Sequence, residues 1–553
     1  MSVTITCFGG AGEIGGNKML IEDGGKRLML DFGMSFGRTG DYFDGVFLTK
    51  RAGRGLLDPL SLGLVPPLRG LLRDDLVPVM GARDKEMFWR HWQEKFPVAY
   101  RDLRRDGLAV DAILVSHAHL DHIADLEYVA AEIPLAGTCT TAFISKVLQD
   151  VGGGSGAAYL QPAAVNGGGV LHTDRGAPSQ RRPWRFLDGV PGGESVDDPL
   201  ATAQSFWDAS GSKGRELVVA PCHAFDGHVG PWRIRWWPVD HSIPGGAMFA
   251  IETDAGWVGY SGDIRFHGQL GPLTWQAAEE LAGLKPVALL CEGTRLTEPN
   301  ATTEAQVYEN CLRVVQNAAG KLAVADFAPR NIARFEIFAR IAEQTGRRLL
   351  VQPKDAYLLR AAHLADPDSN DLMAPTHIGI YDDPKAVYRK YEAAVRARYS
   401  DRVVSPDEVR QHFGDYILAF SLTDMADLLD LEYLVGRQLS GVYIFSNSPA
   451  YDDEQQVDLV RLWNWAQYLG LTVVGLEPRR DADGRVVAMD VQRGYHASGH
   501  AGGNELKEFV QRIAPRTLIP IHTQAAHLWP HMLAHQFIQV VMPRTGEIVI
   551  LSR

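Results

Sequence analysis

Within six positions, His117-Ala118-His119-Leu120-Asp121-His122, the chain carries four side chains of metal-ligating type. Imidazole and carboxylate suit a borderline or hard divalent cation, and packing gives no reason to crowd them together. Alternate residues of an extended loop point the same way, so His117 and His119 can serve one metal position. Asp121 and His122, on the first turn of a following helix, can face a second. Such sites need ligands from elsewhere in the chain. His241 ends the run RIRWWPVD and Asp263 ends GWVGYSG, both at strand ends where layered α/β proteins place binding groups. A carboxylate such as Asp263 can bridge two metals about 3.5–4 Å apart.

Strands have to deliver these residues. From Val3 the chain reads as a strand (VTITCF), a glycine turn (GGAGEIGG), an extended run (KMLIE), an Asp23-Gly24-Gly25 turn and a third strand (RLMLDFG). Gly10-x-Gly12-x-x-Gly15, with Asp31 beyond it, imitates the dinucleotide fingerprint. That fingerprint requires a helix after the glycines, whereas Asn17 to Glu22 are too few for one and read as strand, so no nucleotide cofactor is expected. Residues about 36–110 form a polar insertion, punctuated by Pro and Arg, with one helix candidate, EMFWRHWQEKF. Strand DAILVS leads into the histidine cluster and a helix with its apolar face on Ile123, Leu126, Ala130 and Ile133. Residues about 151–215 (VGGGSG, NGGGV, DGVPGGES) read as long surface loops. Strands return at MFAIET, GWVGYSGD and VALLCEG. Helices and strands then alternate from about 300 to 440, and a last α/β stretch runs from GVYIFSNSP to EIVILS.

With 553 residues, 46% apolar and 22% charged, the sequence describes a large globular protein of two to four domains that needs no staples. Its 67 acidic and 55 basic residues give a net charge of −12, which excludes a generally basic nucleic-acid glove; an anionic substrate must be drawn in by a local field. Cys7, Cys139, Cys222, Cys291 and Cys311 are widely spaced with no CxxC pair, which fits a reducing cytoplasm. The start MSVTITCFGG lacks a basic-then-apolar leader and no window approaches ~18 apolar residues, so neither export nor a membrane partner is expected.

The pieces FGGAGEIGGNKMLIE with LDFGM, VSHAHLDHIADL, VDHSIPGG, YSGDIRF, CEGT, YHASGH and LIPIH together resemble the β-CASP group of metallo-β-lactamase-fold hydrolases, closest to the ribonuclease J family, in that family's order. The resemblance implies a four-layer αββα metallo-β-lactamase domain, residues 1–295 and 441–553, split by an inserted β-CASP α/β domain at 296–440, with the active site in the cleft between them. It implies two zinc ions: one on His117, His119 and His241, the other on Asp121, His122 and His522, bridged by Asp263, with Asp31 supporting from behind. The same N/O ligands accept manganese. Glu292 matches the acidic motif of the β-CASP part, and His500 and His522 its late histidines; His522 favours RNA over DNA. Departures are Thr523-Gln524 where Gly-Glu is usual, Cys291 before Glu292, and Gly293 for a common serine. The sequence ends at Arg553, so the family's C-terminal domain is not expected, and the segments 36–110 and 151–215 are not covered.

The implied activity is hydrolysis of RNA phosphodiester bonds, as exonuclease or endonuclease, by a two-metal-activated hydroxide. Two dications outweigh Asp121, Asp263 and a bridging hydroxide, so the centre stays positive and attracts a phosphodiester. Asp121 is counted with His500 and Glu292 as catalytic: His500 protonates the departing ribose oxygen and Glu292 orients it. His496 and Ser498 match the segment that holds a phosphate, the 5′ one or the adjacent linkage. Arg330 and Arg334 are candidates for an RNA channel, and Arg181, Arg182, Trp184 and Arg185 for a charged stacking face. Trp236, Trp237, Trp463 and Trp465 are read as core, and His527, His531 and His535 as a helical stripe outside the site. A homo-oligomer is compatible with the sequence. The alternatives are a DNA nuclease of the same superfamily, a small-molecule metallohydrolase and a non-catalytic RNA-binding relative.

Overall fold

A computed structural model describes residues 2–44, 48–152, 158–209, 217–298, 302–450 and 453–552. Two mixed sheets lie face to face. The first runs, in spatial order, Cys222–Ala224, Trp184–Phe186, Leu135–Gly137, Ala112–Leu114, Lys26–Leu30, Lys18–Asp23, Val3–Gly9 and Ile548–Leu551. The second runs His228–Val229, Trp232–Pro238, Ala247–Thr253, Gly256–Tyr260, Ala288–Cys291, Thr517–Pro520 and Gln539–Val540.

The period of two in the strands sorts side chains between layers. Ile5, Met19, Ile21, Leu28, Leu30 and Leu114 point inward against Phe249, Ile251, Tyr260, Leu290 and Ile519 of the other sheet. Their neighbours Leu20, Met29 and Ile113 point outward to a cluster with Phe143 of helix Cys139–Gly152. On the far side Met248, Ala250, Leu289 and Leu518 pack on Ala278 and Leu281 of helix Gly271–Gly283 and on Leu506, Phe509 and Val510 of helix Gly503–Ile513. This is the αββα arrangement expected from the motifs.

The inserted unit has its own seven-stranded sheet, wholly parallel: Val403–Val404, Ile378–Tyr381, Arg348–Val351, Tyr416–Ala419, Leu322–Asp326, Gly441–Phe445 and Leu471–Val474. Both faces are covered by helices, which is why its strands are continuous apolar runs. The expected division after residue 440 is corrected by this pairing. Gly441–Phe445 lies directly beside Leu322–Asp326, and the ribbon Leu476–Arg480/Val486–Val491 that follows buries Leu476 and Met489 in the same unit's core.

Three further expectations change. The segment 36–110 is not a polar appendage: Leu56, Leu60, Leu68, Leu71, Trp89 and Trp92 are buried in the layer outside the first sheet, and EMFWRHWQEKF lies on the helix Lys85–Lys95. The stretch 151–215 is not all loop. Trp184–Phe186 is an interior strand of the first sheet, and helix Ala203–Asp208 buries Phe206 and Trp207. Short apolar pieces between Gly and Pro turns carried this, too short to show a period; residues 153–157 and 210–216 lie outside the described residues. The helix after the histidine cluster is one turn, Leu120–Ile123, followed by a 3₁₀ segment, Ala124–Tyr128. Arg73 N donates to Tyr128 O (2.8 Å) and Ala130 N to Leu71 O (3.0 Å), which draws the chain into extended pairing before Ala130 and Ile133 can join a helix. Among the described residues no helix is long and apolar enough to cross a membrane.

Candidate metal centre

Six strands end at one place. Lys26–Leu30 is followed by Asp31, Ala112–Leu114 by the 116–122 loop, Trp232–Pro238 by His241, Gly256–Tyr260 by Asp263, Ala288–Cys291 by Glu292, and Thr517–Pro520 by His522. The loops pack tightly enough to dictate residue type. A Cβ on Gly33 would meet Asp121 O at 1.7 Å, so only glycine lets the LDFG turn pass behind the ligand loop. A Cβ on Gly499 would meet Ser242 Oγ at 2.5 Å and His241 Cε1 at 3.1 Å, which fixes the glycine between Ser498 and His500.

All seven expected ligands converge. His117, His119, His241 and Asp263 form one group and Asp121, His122, Asp263 and His522 a second, with ligand atoms in each within 4.8 Å of one another. His119 Nδ1 stands 3.0 Å from both His117 Nε2 and His241 Nε2. Burial pushes all three imidazoles down, His119 to about 3 with help from the charge of Arg330, which favours the neutral form that ligates a metal. No single proton satisfies three such nitrogens, whereas a cation between them does. Asp263 shares both groups, and its Oδ1 is buried without a hydrogen-bond partner. This donor set fits divalent metal.

Hydrogen bonds behind the ligands set which nitrogen faces inward. His122 Nδ1 donates to Asp31 Oδ2 at 2.7 Å, leaving Nε2 toward Asp263 at 3.2 Å. Asp31 also accepts from the Ser116 amide and hydroxyl, both at 2.7 Å, and from the Tyr260 hydroxyl at 2.5 Å. His241 Nδ1 donates to Gly499 O at 2.5 Å, and His522 Nδ1 to Thr294 Oγ1 at 2.8 Å, leaving His522 Nε2 3.0 Å from Asp121 Oδ2. Burial disfavours charge on His122, but Asp263, Asp31 and Asp121 outweigh it and hold the imidazole well above its ordinary range; Asp121 and Asp263 stay ionised against burial because His122 and His522 face them. Ser116, Tyr260 and Thr294 lay inside or beside the sequence motifs, but no spacing rule gave them a role.

Glu292 is buried, accepts from Ile264 N at 2.8 Å, and meets His500 Nδ1 at 3.1 Å. Burial lowers His500, but Glu292 and then Asp263 raise it to about 9. Its ring centroid lies 5.1 Å from that of His241 and 5.5 Å from that of His522, so His500 flanks the ligands. His496 and Ser498 share its loop. Ser498 Oγ accepts from His500 N at 3.1 Å, and His496 Nδ1 lies 3.4 Å from Ser446 O; burial, then Arg334, pushes His496 down to about 3.

The other basic candidates divide. Arg330 is half-buried, and its charge reaches Asp121 and His119, which puts it at the rim of the centre. Arg334 is fully buried and ion-paired with Glu304 at 3.0 Å, so it lines no channel. Arg182 is fully buried, donating to Leu126 O, Val129 O and Ala130 O; Arg181 pairs with Asp208 at 2.9 Å, and Trp184 is buried. The expected stacking face is core at Arg181, Arg182 and Trp184, while Arg185 is half-buried and pairs with Asp226 at 3.2 Å. Trp237 is buried and Trp236, Trp463 and Trp465 pack against the cores, while His527, His531 and His535 are exposed and apart from the ligands.

Comparison with known proteins finds two family matches and several relatives. Residues 78–293 match the metallo-beta-lactamase superfamily, and residues 484–531 match the Zn-dependent metallo-hydrolase RNA specificity domain. The chain is 26% identical over 338 residues to ribonuclease J of Sinorhizobium meliloti, covering 59% of this chain and 52% of that protein. It is 24% identical over 298 residues to ribonuclease J of Mycoplasma pneumoniae (53% and 46%) and 24% identical over 337 residues to that of Corynebacterium glutamicum (59% and 40%). The chain thus spans about half the length of the curated relatives it matches. A crystal structure of a protein of unknown function from Enterococcus faecalis V583 shares the fold, with TM-score 0.62, 20% identity and full coverage of both chains. The resemblance drawn from the motifs, to ribonuclease J-like β-CASP proteins, is supported.

Proposed function

We propose that this chain, built on the metallo-β-lactamase fold and similar over more than half its length to ribonuclease J, is a metal-dependent ribonuclease that hydrolyses RNA phosphodiester bonds. The observation that carries this reading is the convergence of seven ligand side chains from both ends of the chain, with the RNA-specificity match lying across His500 and His522. Two zinc ions, held by His117, His119 and His241 and by Asp121, His122 and His522 with Asp263 shared, would supply an activated water and the positive field a phosphodiester requires; manganese suits the same ligands. Asp31, Gly499 and Thr294 hold the imidazoles in the ligating orientation. His500, kept protonated at neutral pH by Glu292, gives its proton to the departing ribose oxygen. His496, neutral, and Ser498 offer donors to a substrate phosphate, and Arg330 adds charge at the rim. Five free cysteines support a cytoplasmic location.

The test is incubation of purified, metal-analysed protein with end-labelled 5′-monophosphate RNA and the matched DNA strand. Cleavage of RNA is expected, with single-nucleotide products marking exonuclease action and internal fragments endonuclease action. Intact RNA in the presence of bound metal, or faster cleavage of the DNA strand, overturns the proposal.

A further inference from the structure

Behind the metal centre four buried charges alternate in sign across the boundary between the two units. Asp240 precedes the ligand His241, and Arg265 lies two residues after the ligand Asp263. Arg265 Nε donates to Asp240 Oδ1 at 2.9 Å, and Arg265 NH1 donates to Glu304 Oε1 at 2.9 Å. Glu304 opens helix Glu304–Asn317 of the inserted unit; its second oxygen meets Arg334 NH2 at 3.0 Å. Arg334 sits in the first turn of helix Ile332–Gln344, where the helix dipole disfavours a cation. Local helix energetics therefore give no reason for an arginine there.

Both guanidinium groups also grip the loop that carries His500. Arg334 NH1 donates to Tyr495 O at 3.1 Å and to Ser446 Oγ at 2.5 Å, and Ser446 Oγ itself donates to Tyr495 O at 2.5 Å. Arg265 NH1 reaches Ser498 O at 3.4 Å, and His267 Nε2 donates to the same oxygen at 2.9 Å. With Gly499 O bound to His241, three carbonyls of the 495–499 segment are held, two of them by arginines that Glu304 joins. Buried ion networks add little stability over apolar packing; this one is distinguished by its placement across both units and the loop.

We propose that Glu304 is a positioning residue, which ties the inserted unit to the metal-bearing unit and, through Arg265 and Arg334, sets the Tyr495–His500 loop against the metal centre. This inference rests on the ribonuclease reading for its consequence in catalysis, and on geometry alone for its effect on the loop.

The test uses the full, metal-loaded chain with Glu304→Gln, which keeps the shape and removes the charge. Metal content is expected to stay unchanged, because no ligand is touched. Amide hydrogen exchange across residues 493–502 is expected to rise about tenfold or more, and kcat on single-stranded RNA to fall about 10²-fold with KM nearly unchanged, as misplacement of a proton donor requires. Lys146→Met, which breaks the buried Lys146–Asp150 pair on the helix facing Tyr357 of the inserted unit, should leave exchange of that loop as in the wild type. If Glu304→Gln does not fold, Glu304→Asp decides, since it keeps the charge but draws the carboxylate back from Arg265 and Arg334; faster loop exchange supports the proposal. Unchanged loop exchange in the folded variant overturns it. Should the wild type cleave no RNA, the ribonuclease reading falls while the exchange comparison still decides the role of Glu304.

Discussion

The carboxylate of Asp31 and the imidazole of His122 meet at 2.7 Å with no water-exposed surface on either side chain, one at the end of a strand and the other in the ligand loop beside it. Asp31 adopts φ 52°, a left-handed conformation that a residue other than glycine takes at some cost. The strain is compensated by four donors: the Ser116 amide and hydroxyl, Tyr260 and His122.

Asp31→Asn should therefore weaken metal binding about 10–100-fold while the protein remains folded, because the amide no longer fixes the His122 tautomer. Competition with a chromophoric chelator measures this. Wild-type affinity in the variant would remove Asp31 from the support of the site.

His500→Ala should lower turnover about 10²–10⁴-fold with metal content intact, as expected for loss of a proton donor. Elemental analysis alongside rate measurement separates the two effects. Metal loss in this variant would make His500 a ligand.

Metal removal should destabilise the chain, because the three facing imidazoles and the Asp121/Asp263 pair lose the cation that reconciles them. Free metal at 100 times its dissociation constant should restore about 2.7 kcal/mol, read as a rise of a few degrees in Tm. Asp263→Asn should abolish most of that response, since Asp263 serves both ligand groups. An equal rise in the variant would count against a shared carboxylate.

Stability of the inserted unit should fall as pH rises from about 4 to about 7. Asp326 is buried at the end of its strand, accepts from the Tyr443 hydroxyl at 2.7 Å, and is pushed up by burial to about 7. The folded state thus binds a proton that the unfolded chain releases near pH 4, so this contribution is full below the unfolded value and is lost as pH climbs through about 7. Asp326→Asn should match the wild type near pH 4 and exceed it by a few kcal/mol at pH 8, because each tenfold difference in proton affinity between the folded and unfolded chain is worth about 1.4 kcal/mol. Urea denaturation at both pH values is the measurement; an unchanged difference between them would show that Asp326 is ionised in the folded state.

The convergent candidate ligands were legible because metal chemistry restricts residue type. His117, His119, Asp121 and His122 stand out by composition, and His241 and Asp263 by ending strands whose period of two is plain in the sequence. Thr294 and the carbonyl of Gly499 were not legible, since a hydroxyl or a backbone oxygen in a turn carries no spacing signal. Arg182 and Trp184 misled for a related reason: a basic and aromatic run looks solvated until the carbonyls of Leu126, Val129 and Ala130 are seen to receive the guanidinium. The boundary after residue 440 failed because parallel strands pair over long separations, and Gly441–Phe445 looks the same whether it opens a new unit or completes an old one.

His522 reaches the ligand set only after the whole inserted unit has been spelled out in the chain. A polypeptide made from its amino end carries four ligand residues by position 122 but has no closed cage until the strand Thr517–Pro520 docks beside Ala288–Cys291. On the proposed reading, complete metal coordination would wait on assembly: a copy in which Thr517–Pro520 has not docked would lack His522 at the centre, and the activity would be armed only when both sheets are complete.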